Sequence, residues 1–160
     1  MDREKLSQKL DRIARQIYEH NFEEKRIALI GISERGHTLA KRLKERLDWI
    51  STLESLDGSL KLDKDDPLRS EIKVSIVDKD LENTSVLLVD DVLNSGKTLM
   101  HAAKQLMNIP IKKLTTIVLV DRKHRKYPIK ADFVGMTLAT TLKDHIRVRL
   151  GDEDEGAYLE

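Results

Sequence analysis

Three near-continuous apolar runs limit what this chain can become: RIALIGI (26–32), SVLLVD (85–90) and LTTIVLVD (114–121). Each is too short to be a buried helix and has no polar face, so each reads as a strand covered on both sides. Between them lie stretches with helical spacing. Leu6, Leu10, Ile13 and Ile17, with Ala14, make one stripe, so residues 3–20 are predicted as an amphipathic helix. Leu39, Leu43, Leu47 and Ile50 predict another over 37–50, and residues 97–108 a third that stops before Pro110. EIKVSIV (71–77) alternates as a strand does, and ADFVG (131–135) and HIRVRL (145–150) read as short strands. Apolar strands alternating with helices imply an α/β fold, a mostly parallel sheet with right-handed crossovers and helices on both faces. The stretch 52–69, with Gly58, Pro67 and the acids Asp63, Asp65 and Asp66, is expected to be a long mobile loop.

At 160 residues the chain is expected to form one domain with one sizeable core. No apolar run approaches the roughly 20 residues of a membrane span. MDREKLSQKL has no signal-peptide core, and cysteine is absent, which excludes disulfides and thiolate chemistry. A cytoplasmic protein with no membrane partner is the expectation. The five histidines show no metal-ligand spacing. The net charge of +1 hides an asymmetry: the last ten residues carry five acids and no base, so residues 1–150 carry +6. DRKHRKYPIK (121–130) holds five Lys or Arg against one Asp. Such a run is either a solvated face or an anion-facing patch, and the acidic tail is a candidate to screen it. Trp49 is expected to pack on its helix.

Ligands of open parallel sheets sit beyond the carboxyl ends of the strands. Three strands here end in notable loops, GISERG, DDVLNSGKT and DRKHRK. In the second, Asn94-Ser95-Gly96-Lys97-Thr98 precedes a helix. Backbone N–H groups converging at a helix N-terminus, with hydroxyls from Ser95 and Thr98 and a close approach at Gly96, suit a phosphomonoester. An ordinary cap with a tight turn is the competing reading. A nucleotide-triphosphate loop is excluded because Asp91 stands where its first glycine must be. A receiver domain is excluded because only about 70 residues follow the acidic pair, too few to complete that fold. Asp90 and Asp91 can accept hydrogen bonds from a vicinal diol, and carboxylates suit Mg²⁺. Diol acceptors followed by a phosphate cradle fit a ribose 5-phosphate.

Residues 86–98 resemble the phosphoribosyl pyrophosphate (PRPP) signature of type I phosphoribosyltransferases. The likeness covers nearly the whole chain and is closest to the bifunctional pyrimidine-operon attenuation regulators that are also uracil phosphoribosyltransferases. GISERGHTLAKRL (31–43) resembles their pyrophosphate loop and helix, LKLDKDD (60–66) their flexible loop, and LVDRKHRKYPIKADFVG (119–135) their base-binding hood. The resemblance implies the Rossmann-like fold of that family with a small hood at about 121–145 and a closing loop at about 57–69. It implies transfer of ribose 5-phosphate from PRPP to a nucleobase, uracil being favoured, to give UMP and pyrophosphate with Mg²⁺, as in pyrimidine salvage. It assigns the ribose hydroxyls to Asp90 and Asp91, which would touch the metal only through water and PRPP. Asn94, Ser95, Gly96, Lys97 and Thr98 would take the 5′-phosphate; Arg35 with Ser33, Glu34 and Gly36 would take the pyrophosphate. Val134, Phe133 and Tyr127 would lie at the base. His124, Arg125 and Lys130 match basic positions of the regulators, so RNA is a possible partner, and a homodimer or higher homo-oligomer is expected. A regulator with weak catalysis and a 6-oxopurine (hypoxanthine or guanine) phosphoribosyltransferase are the alternatives. The chain departs from the regulators at Asn94, Ser33-Glu34, Asp63 and Lys64. An amide at 94 cannot act as a general base, which counts against the usual purine mechanism.

Overall fold

The computed structural model describes residues 1–151 and 153–160. Its main sheet has six strands in the order β3-β2-β1-β4-β5-β6. The predicted buried runs form its centre: β1 (Arg26–Ile32), β4 (Ser85–Leu93) and β5 (Lys113–Asp121). β1 pairs parallel with β4 and with β2 (Glu54–Lys61), and β5 pairs parallel with β4 and with β6 (Phe133–Thr137). β3 (Lys73–Val74) runs antiparallel at the edge.

The two faces carry two cores. On one, α1 (Arg3–Asn21) and α2 (Ser33–Ile50) lay Leu6, Leu10, Ile13, Ile17, Leu39 and Leu43 over Leu29, Leu87, Val89 and Ile117. On the other, Leu99, Ala102 and Leu106 of α4 (Lys97–Leu106), with Leu81 of the one-turn α3 (Asp78–Leu81), cover Ile30, Leu60, Val86, Leu88 and Val118. Alternate residues of each central strand serve opposite faces, so the strands are apolar throughout.

The structure corrects the expected loop at 52–69. Residues 54–61 of it are β2, leaving 52–53 and 62–72 irregular. β2 pairs along all of β1, but its sequence ESLDGSLK has no apolar run: Ser55, Gly58 and Leu60 are its buried positions. Gly58 is there because a Cβ would stand 2.6 Å from the Ile76 side chain. Conversely, only Lys73 and Val74 of the predicted strand 71–77 pair. α2 begins four residues before the predicted position, directly at the end of β1, with Ser33 at a positive φ of 58°.

The C-terminal segment is not part of the main sheet. β7 (Ile146–Arg149) and β8 (Gly156–Leu159) form an antiparallel hairpin. It docks on the start of α1, where Ala157 N–H donates to the Met1 carbonyl and the Met1 ammonium to the Ala157 carbonyl. Among the described residues, the acidic tail therefore meets α1, α2 and β7 and makes no ion pair with the basic run of 121–130. Glu155 pairs with Arg42 at 3.2 Å and Arg3 at 3.5 Å, and Glu160 with Arg147 at 3.2 Å. Trp49, expected to pack, is 90% exposed. No helix among the described residues is long and apolar enough to cross a membrane.

Candidate active site

β1 and β4 are neighbours, and both hand the chain to a helix at their carboxyl ends. The N-termini of α2 and α4 thus open on either side of the end of β4, where Asp90 and Asp91 sit. Two cavities follow. One of about 740 Å³ is lined by Ser33, Glu34 and Arg35 of α2, by Asp91, Val92 and Asn94, and by Lys61, Leu62, Lys64, Arg122, His145 and Ile146. The other, about 240 Å³, is lined by Asp90, Val92, Leu93, Asn94, the run Ser95 to Leu99, and Lys64. Lys64, Val92 and Asn94 belong to both, so they form the wall between them.

The two aspartates line different cavities while their carboxyl groups stay close enough to interact. Asp91 lines the first, with Arg35 Nη1 at 3.7 Å; Asp90 lines the second, with Lys64 Nζ at 3.5 Å. Both are buried, at 4% and 3% exposure. Burial, with the neighbouring Asp91 carboxylate, pushes Asp90 up from 3.8 to about 8, against the pull of Lys64. The second negative charge of the pair is therefore poorly stabilised by the protein alone, so a cation or hydroxyl donors placed against it are favoured.

The loop before α4 brings its backbone close to its neighbours. Gly96 takes a positive φ of 87° as the N-cap, and a Cβ there would meet the Ile129 side chain at 2.8 Å. Ser95 Oγ accepts from Lys97 N–H at 3.3 Å, and the Ser95 carbonyl accepts from Lys126 and Tyr127 N–H at 2.9 and 3.1 Å. Lys97 Nζ reaches the Asp65 carbonyl at 3.5 Å, so the irregular segment 62–72 is held against this loop. At the other helix, Ser33 carries the positive φ and Gly36 is buried. A Cβ on Gly36 would lie 2.7 Å from the Val89 carbonyl oxygen, so Gly36 sets how closely α2 meets β4 and does not itself line either cavity.

The hood residues are placed otherwise. Val134, Phe133 and Tyr127 line neither cavity. The Val134 carbonyl accepts from Arg12 of α1 at 2.7 Å, and Phe133 packs toward the α1 face, edge-on to His20 with ring centres 5.7 Å apart. Tyr127 is 37% exposed and touches the Gly96 loop through its backbone. Arg125 is spent inside the hood: Nη2 meets Asp121 at 2.7 Å, Nε the Ile129 carbonyl at 2.9 Å, and Nη1 the Asn94 carbonyl at 2.8 Å. His124 Nε2 lies 2.7 Å from the Thr140 carbonyl, while Lys130 is exposed. Sequence reasoning missed Arg122, His145 and Ile146 as lining residues. Arg122 was one more base in a charged run, yet it is 8% exposed and bonded to Asn94 Oδ1 at 3.0 Å.

An open parallel sheet with an acidic pair between two helix N-termini, one of them capped by a glycine at positive φ, is the architecture of a type I phosphoribosyltransferase. The chain matches the phosphoribosyl transferase domain family over residues 2–152 and belongs to it. Among curated proteins it is similar to the bifunctional protein PyrR of Alkaliphilus metalliredigens, 36% identical over 165 residues, covering 97% of this chain and 89% of that one. It is similar also to the bifunctional protein PyrR of Bacillus subtilis, 34% identical over 167 residues, covering 97% and 91%. Among solved structures, the fold matches hypoxanthine phosphoribosyltransferase of Trypanosoma cruzi with a TM-score of 0.75, at 17% identity over 86% of this chain and 79% of that one. It also matches a hypoxanthine-guanine phosphoribosyltransferase of Bacillus anthracis at 0.70, with 22% identity over 84% and 77%.

Proposed function

We propose that this chain is a single phosphoribosyltransferase domain that moves ribose 5-phosphate from PRPP to uracil, giving UMP and pyrophosphate. One observation carries the reading: a buried acidic pair stands between two helix N-termini, with Asp91 lining one cavity and Asp90 the other. PRPP has the matching order of groups, a diol-bearing ribose with a monophosphate at one end and a diphosphate at the other. Asp90 and Asp91 accept from the ribose hydroxyls. The run Asn94 to Thr98 cradles the 5′-phosphate, and Ser33, Glu34, Gly36 and Arg35 form the diphosphate loop. As the ribose–diphosphate bond loosens, positive charge grows on the ribose ring and negative charge on the leaving group. The acidic pair lies at the first and Arg35, with the α2 N-terminus, at the second, an arrangement preorganised for that separation. Segment 62–72 closes over the site and excludes water, and Lys64 adds a cation that rides on that closure.

The donor set fits Mg²⁺ carried by the substrate: no group of three or more His, Cys, Asp or Glu suited to a metal occurs among the described residues, so PRPP and water would hold the ion, with Asp90 and Asp91 reaching it through them. When bound, that ion neutralises diphosphate charge. Uracil is favoured because the lining residue at 94 is an amide, which cannot take a proton from a purine. Val134, Phe133 and Tyr127 line neither cavity and act on the base only indirectly, by holding the hood in place.

A second reading, an RNA-binding regulator of pyrimidine genes, is favoured by the exposed lysines Lys123, Lys126 and Lys130 on the hood, with His124 and Arg125 holding their loop. Pyrophosphate release from PRPP with Mg²⁺, over uracil, hypoxanthine, guanine, adenine and orotate, tests the first reading. Turnover with uracil is expected. Absence of turnover with every base, together with absence of PRPP binding, overturns it. Salt-sensitive RNA binding that responds to nucleotide, without turnover, moves the weight to the second.

A further inference from the structure

Asn94 is held from two sides. Its backbone carbonyl accepts from Arg125 Nη1 at 2.8 Å and its side-chain oxygen accepts from Arg122 Nη1 at 3.0 Å. Arg122 is buried and spends its other N–H groups on the segment that closes the far wall: Nε on Thr140 Oγ1 at 3.0 Å, and Nη2 on the carbonyls of Thr141, at 3.1 Å, and Asp144. A guanidinium only donates. The end of the amide that meets Arg122 is therefore the oxygen, an orientation settled by chemistry where an amide's shape alone leaves it open. The NH₂ end, with two donors and no lone pair to offer, is left to the cavity wall that Asn94 forms.

We infer that Arg122 locks Asn94 as a hydrogen-bond donor toward the nucleobase, which makes position 94 select bases that present an oxo group over bases that present an amino group. This rests on the phosphoribosyltransferase reading of the cavity. Asn94 is the specificity residue, and Arg122 is the positioning residue. An oxo group accepts from the fixed NH₂. Asn94 is exposed in this structure; once segment 62–72 closes over the site and water is excluded, an amino group sets donor against donor and leaves both unpaired, a penalty that discriminates better than shape does. Without Arg122 the amide rotates freely and offers either end.

The test is calorimetric titration of the full chain with two nucleotide pairs, UMP against CMP and IMP against AMP, each pair exchanging oxo for amino. The oxo member is expected to bind about tenfold tighter or more. Asn94→Asp keeps an oxygen for Arg122 but turns an acceptor to the base, so the preference narrows or reverses. Asn94→Leu removes it. Arg122→Gln collapses the preference toward equality without reversing it, which general loosening of the hood does not predict, since that lowers both affinities together. The Asn94 variants carry the test if the buried Arg122 variant does not fold. An oxo preference unchanged in Asn94→Asp, or no preference in the parent chain, overturns the inference and leaves the phosphoribosyltransferase reading in place. So does PRPP binding without binding of any of the four nucleotides. Failure to bind both PRPP and all four nucleotides removes the reading and the inference together.

Discussion

Gly31 is where the sequence lets the first turn of α2 close on the end of β1, the segment proposed to bind the diphosphate, and Gly31→Ala tests that. β1 runs into α2 with no connecting loop, so the first turn of the helix folds back across the strand end. A Cβ on Gly31 would lie 2.2 Å from Gly36 C, Gly36 O and His37 N. All three are backbone atoms, so no side chain can rotate away. To reach even a tight contact of 3.4 Å, the first turn of α2 must retreat by about 1.2 Å, the difference between those distances. Overpacking typically costs about 1–3 kcal/mol. A shift of α2 also loosens Leu39, Ala40, Leu43 and Leu47 from the core, so about 3 kcal/mol is expected here. Ser33 to Gly36 move with the helix, and a displacement of about 1 Å at a positioning group costs on the order of 10²-fold in rate. Urea unfolding followed by far-UV circular dichroism reads the first effect. Pyrophosphate release at saturating and limiting PRPP reads the second. A variant within about 0.5 kcal/mol of the parent, with unchanged kcat/KM for PRPP, refutes the argument that this glycine pair sets the loop.

Other outcomes follow from the same geometry. Asp91→Asn should cut turnover by about 10²-fold or more while leaving the unfolding midpoint near the parent's, because the amide replaces the carboxylate atom for atom; near-normal turnover contradicts the ribose-holding role. Gly96→Ala should lose about 1 kcal/mol or more from the positive φ and the Ile129 contact, and weaken ribose 5-phosphate binding measured by calorimetry. Glu155→Gln should destabilise by about 1–3 kcal/mol at pH 7, since Arg42, only 20% exposed at its side chain, then lacks a counter-charge. Burial raises the Glu155 carboxyl, but the Gly151 N–H and the Arg42 and Arg3 guanidinium groups outweigh it and hold it below its ordinary 4.5. Its contribution is therefore complete above about pH 4.5 and is lost as pH falls through the lowered folded value, so the gap in Tm between parent and Glu155→Gln should close in acid and not in base.

The parts of the fold that could be read from sequence are those where one physical requirement dominates the residue choice. A strand buried on both faces must be apolar throughout, and β1, β4 and β5 are. β2 could not be read, because its neighbours left no room for an apolar run. Gly58 gives way to Ile76, Ser55 is buried against the sheet, and Asp57 meets His37 Nε2 at 3.1 Å. Its strand state is imposed by pairing along the whole of β1, a tertiary effect that local propensity does not contain. The hairpin at the C-terminus was hidden in the same way. Its second strand is the end of an acidic tail whose composition suggests solvation, and it is held by Glu155 reaching arginines on two helices. Charge on that tail reads as repulsion from everything until the partners are known.

The candidate site divides along a similar line. Asp90, Asp91 and the run 94–98 were legible because carboxylates at a strand end and a glycine-containing loop before a helix have few other uses together. Arg122 and Arg125 were not, because a count of bases in DRKHRKYPIK cannot tell a guanidinium that faces solvent from one that is buried. The distinction changes what the run can do. Arg122 and Arg125 bond the side-chain and backbone oxygens of Asn94, so two of the five bases in that run brace the loop before α4. The remaining three, Lys123, Lys126 and Lys130, are the exposed ones. Arg125→Ala should therefore weaken binding of ribose 5-phosphate, by releasing the Asn94 carbonyl, whereas Lys123→Ala with Lys126→Ala should leave PRPP turnover near normal and lower only the affinity for polyanions. If instead Arg125→Ala leaves ribose 5-phosphate affinity intact and removes RNA affinity alone, the arginine belongs to the outer surface and the brace is wrong. The two pairs of measurements separate the inner from the outer use of one basic segment, which is the division that charge alone could not draw.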